Sequence, residues 1–452
     1  MTSSRRRFPD LPTELPPHLK FVLGLSPSAM TLGLGNIRSL LDRLDHPEEN
    51  FRTVVVAGTN GKCSVTAMTA SLLHAQGMRV GRYISPHVFS VNERIAVDGQ
   101  PVPLEEMENA AAEIAPFHAE IGFSYFEALT AIAFLVFVRR GVEVAVLETG
   151  LGGRFDATNV TRPLVTVLTS IALDHRRILG DTEEEILREK LGIVRGDVPL
   201  LAGEFTPELR EIIEEKASRE GAPFVALEDL GTITAIEGTR ARISTPSGDY
   251  GEVTLPFAGA HQRINTLLAI GAAERVAGSL RHVGAGLSAA YLPGRFEQFE
   301  HAGRLFVLDV AHNDAALCAA ADQLGVVSPR EHNAVVLGLM KRKELYSAPE
   351  RLLTVAARIY LVAPDPVAGV GAGAHTPQSL YAQYIHRLLS PGPGSSLTDL
   401  RSDAILWNQT GVEDQWRRLL GTLCHTDNPC RTILVAGSHH VVEQFGRRLL
   451  RL

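Results

Sequence analysis

The sequence predicts an α/β protein of two domains, the first built on a parallel sheet that carries a small antiparallel appendage. Three observations predict it. The chain has 452 residues, more than one hydrophobic core ordinarily serves. From residue 53 to about 205, β-branched runs alternate with helical patterns, which marks a parallel sheet covered by helices. A second alternating series opens at Leu305 after the punctuation Pro293-Gly294-Arg295-Phe296.

In chain order, strands are expected at Thr53–Val56, Val80–Ile84, Val144–Leu147 and Val165–Thr169, with helices from Ser64 and over Phe126–Val138. The apolar stretch Ala128–Val138 ends at Arg139-Arg140 and is too short for a membrane span, so it reads as a buried helix. Residues 225–257 change to short strands with polar turns, Thr232–Ile236, Ala241–Thr245 and Val253–Leu255, which form the expected antiparallel appendage. A helix over Ile264–Ala277 leads to a boundary near residues 293–303, dividing the chain into 1–297 and 298–452. Strands at Leu305–Leu308, Ala334–Leu337, Ile359–Val362 and Thr432–Ala436 make the second domain α/β as well, and the Gly- and Pro-rich stretch 366–399 holds the expected mobile loops.

Composition narrows the function. A net charge of −7 argues against nucleic acid or an anionic membrane as the main partner. Cys63, Cys318, Cys424 and Cys430 are too few and too scattered for a disulfide framework or a structural zinc site. A reducing cytoplasm suits them. The N-terminal arginines are not followed by an apolar stretch of signal-peptide length, so a soluble cytoplasmic protein is expected.

The chemistry-bearing segments stand where strands end, the edge at which α/β sheets bind ligands. The first strand breaks into Gly58-Thr59-Asn60-Gly61-Lys62-Cys63-Ser64. Backbone N–H groups at a new helix N-terminus, the Lys62 charge and the Ser64 hydroxyl suit a Mg²⁺-bound phosphate. The spacing departs from a strict Walker A, with Val56 at the first glycine position, and a simple β-α turn would use the same glycines. Ser85-Pro86-His87 follows the next strand; Glu148 and the segment Gly150 to Asn159, with Arg154 and Asp156, follow another. Glu148 reads either as a Mg²⁺ carboxylate or as a solvated strand-end acid. Asp174-His175 reads as a metal-ligating imidazole or as a helix cap with a surface histidine. Lys190 by itself reads as a solvated helix lysine. Asp309, His312 and Asn313 close the first strand of the second series, as site residues or as turn residues before a helix.

Taken together, Gly58 to Ser64, Ser85-Pro86-His87 with Asn92-Glu93-Arg94, Glu148 to Asn159, Asp174-His175, Asp181, Glu189-Lys190, His261-Gln262 with Asn265, Pro293-Gly294-Arg295, Asp309 with Ala311-His312-Asn313, and Gly437-Ser438 recur in the order of one family. The chain resembles the folylpolyglutamate synthase/dihydrofolate synthase family of the Mur ligase superfamily, from about residue 15 to its end. The resemblance implies an ATP-dependent amide ligase, with a P-loop ATPase domain and a C-terminal Rossmann-like domain. It would add L-glutamate to dihydropteroate, to reduced folates or to both through an acyl phosphate. It implies nucleotide contacts from Gly58, Thr59, Asn60, Gly61, Lys62, Cys63, Ser64, Asn265, Arg295 and Asp309. Two Mg²⁺ ions are implied, one at Ser64, Ser85 and Glu148, the other at Glu148, His175 and a carbamylated Lys190; a monovalent cation is a further implied cofactor. Lys62, His175, Lys190 and His312 would act in catalysis, and Phe126, Asp156, His312 and Ser438 would contact pterin or glutamate. The partners implied are small molecules, with neither nucleic acid nor membrane, and a monomer is expected.

Departures from the family pattern concentrate near this site. Cys63 replaces a glycine, and at a helix N-terminus its thiol is expected to have a lowered pKa, open to an oxidative switch. Arg176 and Arg177 follow His175 where a hydroxyl residue and an acid are usual. Leu191, Val310, Arg342 with Glu344 around Lys343, and His439-His440 also depart. Another Mur-type amino-acid ligase and a catalytically decayed nucleotide-binding relative are the competing readings.

Overall fold

The structure, a computed structural model, describes residues 14–25, 33–341, 343–363, 375–380, 383, 405–406 and 412–449. Most of the loop region expected over 366–399, and Arg342, lie outside the described residues.

The first sheet has eight strands: β1 (Arg52–Ala57), β2 (Val80–Tyr83), β3 (Ile95–Val97), β4 (Gln100–Pro101), β5 (Val144–Glu148), β6 (Pro163–Leu168), β7 (Leu200–Ala202) and β8 (Phe224–Val225). They run in the order β4-β3-β2-β5-β1-β6-β7-β8. From β2 to β8 every pairing is parallel, and β3 and β4 add an antiparallel edge. Strict alternation of side chains explains the unbroken β-branched run of β1. Val55 and Ala57 enter one core with the Tyr125–Arg139 helix, while Val54 and Val56 enter the other with the Lys62–Ala75 and Ala260–Ala277 helices. The helix expected over Phe126–Val138 is buried without a break from Ala128 to Phe137, as its all-round apolarity requires.

The chain leaves β1 toward β2 on one side and leaves β6 toward β7 on the other, which opens a crevice at their carboxyl ends. The appendage is a three-stranded antiparallel sheet of β9 (Thr232–Glu237), β10 (Arg240–Thr245) and β11 (Gly248–Thr254). It begins later than residue 225, because Phe224–Val225 extends the parallel sheet through its pairing with β7.

A third sheet follows: β12 (Glu297–His301), β13 (Arg304–Leu308), β14 (Asn333–Leu337), β15 (Arg358–Leu361), β16 (Ile405–Leu406) and β17 (Thr432–Ala436), ordered β12-β13-β17-β14-β15-β16. Only β12 is antiparallel to its neighbour. Two further cores cover its faces. Among the described residues no helix is long and apolar enough to cross a membrane.

Candidate active site

The turn after β1 is built by a neighbouring strand end. Gly58 has φ +148°, and a Cβ there would lie 1.9 Å from Thr169 Oγ1, so only glycine lets the two strand ends approach this closely. Thr59 N donates to Ser170 O at 2.7 Å, Asn60 N to Ser170 Oγ at 3.1 Å, and Thr169 Oγ1 to Asn60 O at 2.6 Å. Gly61, at φ +86°, is the N-cap of the Lys62–Ala75 helix, and that helix start has no side-chain cap. Its first-turn N–H groups and positive dipole end are therefore available to an anion. The sequence places the segment from Ser170 to His175 at this edge, but the contacts by which Thr169 and Ser170 shape the turn are not legible in it.

Glu148 closes β5 in register with Val56 of β1, beside the phosphate turn. Its carboxylate is 1% exposed. Ser85 N donates to Oε2 at 3.1 Å, the Cys63 thiol to Oε1 at 3.1 Å, and Lys62 Nζ stands 3.9 Å from Oε1. Burial raises its pKa against the lowering effect of Lys62, Cys63 and Ser85. A buried carboxylate whose nearest cationic group is this distant fits a divalent cation. The Ser64 hydroxyl is likewise buried and accepts from Gln262 Nε2 at 3.3 Å; Gln262 in turn holds Asn265 at 3.0 Å. A Cβ on Gly61 would come within 2.5 Å of Asn265 Oδ1, so the Ala260–Ala277 helix presses directly on the turn.

The Ser85-Pro86-His87 loop owes its shape to the motif that accompanies it. Glu93 receives the N–H groups of Val88, Phe89 and Ser90 at 2.8, 2.8 and 2.7 Å, and Arg94 Nε donates to His87 Nδ1 at 2.9 Å. Arg447 of the C-terminal helix donates to Phe89 O at 2.8 Å.

Lys190 is a buried residue, the last of the Glu183–Lys190 helix, and the solvated reading is thereby corrected. Its Nζ donates to Gly58 O at 2.7 Å. Burial, with Lys62 adding repulsion, pushes the ammonium down to about 7. Phe126 packs its ring against Gly150, where a Cβ would approach within 2.5 Å, and against Tyr83 at 5.8 Å between centroids. Asp156 is fully engaged by its own loop: Oδ2 accepts from Gly150 N at 2.7 Å and Leu151 N at 2.9 Å, and Oδ1 from Thr158 N at 3.0 Å and Thr158 Oγ1 at 2.6 Å. In this arrangement it shapes the glycine loop beside Phe126.

The second series of elements closes over the turn. Asn60 and Asn313 exchange side-chain hydrogen bonds of 3.3 and 2.9 Å. Asp174 is the hub between the two halves, a role the sequence did not suggest. It accepts from Lys343 Nζ at 2.6 Å and from Asn313 Nδ2 at 3.2 Å, with His312 Nε2 at 3.4 Å. Against the burial that would raise it, the His312 contact and the Lys343 charge hold its carboxyl well below the usual range. His175, half exposed, starts a short helix at φ +53°, with its Nε2 3.8 Å from Asp174 Oδ1. The departures Arg176 and Glu344 answer each other at 2.6 Å, with Tyr346 OH 3.2 Å from Arg176. Asp174→Asn leaves the Lys343 charge facing a neutral amide. It is expected to cost about 3 kcal/mol and to speed limited proteolysis between residues 290 and 303, measured by urea unfolding and by timed digestion.

Asp309, one residue beyond β13, accepts from Phe296 N at 2.9 Å and Ala311 N at 2.8 Å. Burial, opposed by the Arg295 charge, pushes it up to about 6. Below the ordinary carboxylate value the group is protonated both folded and unfolded; between that value and about 6 the folded chain retains a proton that the unfolded chain releases. Its contribution to stability therefore falls as pH rises through this window, by roughly 3 kcal/mol. Unfolding free energies from pH 4 to 7 are expected to slope less in Asp309→Asn than in the parent. His312 Nδ1 lies 2.9 Å from Val310 O, which leaves Nε2 toward Asp174. Val310 itself is buried and donates its N–H to Gly294 O at 2.9 Å. Ser438, 2% exposed, accepts from Val441 N at 3.2 Å. The His439 and His440 rings lie 4.1 Å apart.

Cys63 requires a correction. The expected low thiol pKa is reversed, because the residue is 6% exposed and burial, then the Glu148 charge, push it up to about 11. The helix N-terminus does not compensate for a carboxylate at hydrogen-bond distance. An oxidative switch at Cys63 loses its basis. All four cysteines are free thiols.

The Mur ligase middle domain matches residues 56–273, which runs from the end of β1 through most of the Ala260–Ala277 helix. The chain is 36% identical to the dihydrofolate synthase/folylpolyglutamate synthase of Bacillus subtilis, over 77% of this chain and 84% of that one. Escherichia coli FolC in complex with DHPP and ADP superposes with a TM-score of 0.79 at 28% identity, covering 96% of this chain and 97% of that one. The bifunctional enzyme of Yersinia pestis complexed with AMPPNP and Mn ion gives 0.78 at 28% identity, covering 97% and 100%. With its nucleotide turn, its buried carboxylate and this likeness along nearly the whole chain, the protein belongs to the folylpolyglutamate synthase/dihydrofolate synthase family of Mur-type ligases.

Proposed function

We propose that this chain is an ATP-dependent amide ligase that joins L-glutamate to dihydropteroate, to reduced folates or to both, through an acyl phosphate. The observation that carries the reading is the convergence of Lys62, Ser64, Glu148 and Lys190 on one turn, with Asn313 of the second half hydrogen-bonded to Asn60 of that turn. Phosphoryl transfer asks the protein mainly for positioning and charge neutralisation. The turn holds the nucleotide phosphates through Gly58, Thr59, Asn60, Gly61, Cys63 and Ser64, and Lys62 faces the transferred group. Asn265, Arg295 and Asp309 take the rest of the nucleotide, so that it lies between residues 1–297, the ATPase domain, and 298–452, the Rossmann-like domain.

A divalent cation, when bound, neutralises charge on the transferred phosphoryl group. Ser64, Ser85 and Glu148 hold one such ion and Glu148, His175 and Lys190 a second, with a monovalent cation as a further ligand of the enzyme. Lys190 fits this only as a carbamate, since an ammonium repels a cation while a carbamate offers the oxygen that hard ions prefer. Phe126 and Asp156 form the pterin side, and His312 and Ser438 the glutamate side. Closure of the Asp174 hub excludes water from an intermediate that hydrolysis would waste. The protein works as a cytoplasmic monomer.

The test is phosphate release with Mg²⁺-ATP and L-glutamate, comparing dihydropteroate, tetrahydrofolate and a control without pterin. Release that needs one or both pterins supports the reading. Release with neither, or release indifferent to glutamate, sinks it.

A further inference from the structure

The Cys63 thiol lies in a closed cluster whose geometry gives it a use. Its Sγ has two acceptors, Glu148 Oε1 at 3.1 Å and Ser85 O at 3.5 Å. The other carboxylate oxygen, Oε2, receives Ser85 N at 3.1 Å. Glu148 is therefore gripped by one donor from the loop after β2 and one from the first turn of the Lys62–Ala75 helix; Lys62 at 3.9 Å is too distant to orient it, and the Arg295 guanidinium hydrogen-bonds the Cys63 sulfur. Cys63 and Glu148 are buried, at 6% and 1% exposure. A carboxylate held at a single oxygen can rotate about its terminal bond, whereas one held at both cannot.

We infer that Cys63 is a positioning residue for Glu148: its Sγ–H fixes the carboxylate plane so that Glu148 offers a preset lone pair to the divalent cation of the nucleotide. The inference rests on the reading of Glu148 as a cation ligand. A carboxylate oxygen has two lone pairs, so the thiol keeps its hydrogen bond to Oε1 while a cation takes the lone pair left open.

Mn²⁺ binding in the presence of a non-hydrolysable ATP analogue, followed by electron paramagnetic resonance, tests it. Cys63→Ala is expected to weaken Mn²⁺ binding about three- to tenfold, and Cys63→Ser, which keeps a donor, to stay within about twofold. An alanine variant that binds Mn²⁺ as the parent does, or a serine variant as weak as the alanine one, overturns the inference while leaving the ligase reading intact. Undiminished binding in Glu148→Gln overturns both. On the unmodified protein, an S–H stretching band is expected to move when Mg²⁺ and the analogue are added, since Cys318, Cys424 and Cys430 all lie in the second half of the chain; S–H bands that stay put overturn the inference whatever the variants do.

Discussion

Glu148→Gln is expected to lower ligase turnover about a hundred- to a thousandfold while leaving the protein as stable as the parent or more so. The two effects have one cause. Glu148 is nearly fully buried at the end of β5, and burial raises its pKa. An acid whose folded pKa exceeds its unfolded value makes the folded state less stable once the pH is high enough to ionise it, so a neutral amide of the same shape removes a cost. The amide oxygen still accepts from Ser85 N, which preserves the local fold. Phosphate release measures the first effect and thermal unfolding at neutral pH the second. A variant that keeps most of its turnover removes Glu148 from the cation site and takes the proposed mechanism with it.

Lys190→Ala is expected to lower turnover about a hundredfold or more, and here the reason for the loss is itself testable. As an amine, Lys190 donates to Gly58 O, tying the end of one helix to the nucleotide turn. As a carbamate it would face a cation. Carbon-13 NMR in labelled bicarbonate separates the two: a carbamate resonance present in the parent and absent from Lys190→Ala is expected. A parent without that resonance, together with a Lys190→Gln variant that remains active, leaves Lys190 a structural clasp on the turn.

Much of the fold was legible because its signals are local. The run Val54–Val56 must lie between two apolar faces, and the stretch from Ala128 has no polar side, so a covered parallel sheet and a buried helix follow from side-chain alternation and periodicity alone. The short strands β3, β4, β7, β8, β12 and β16 were not legible, since strands of two to five residues at or next to sheet edges carry too few side chains to show a period. The site divided in the same way. Its glycine turn and strand-end residues Glu148, Asp309 and His312 announced themselves by position. The partners of Thr169, Ser170, Gln262 and Asp174 did not, because each acts on a residue about a hundred residues or more away in sequence.

By itself, then, the sequence determined the α/β class, the order of the elements, the nucleotide turn and the family. These follow from side-chain period, glycine placement and motif order, all of which are properties of neighbours along the chain. Only the tertiary structure decided the states of the titratable groups: Lys190 buried on Gly58 O where a helix surface was the plain reading, Asp174 held ionised between the two halves of the chain, and Cys63 driven to the thiol form by burial and then by Glu148. The physical reason is that charge and proton affinity depend on solvent access and on the nearest opposite charge. Both are set by segments that folding brings together.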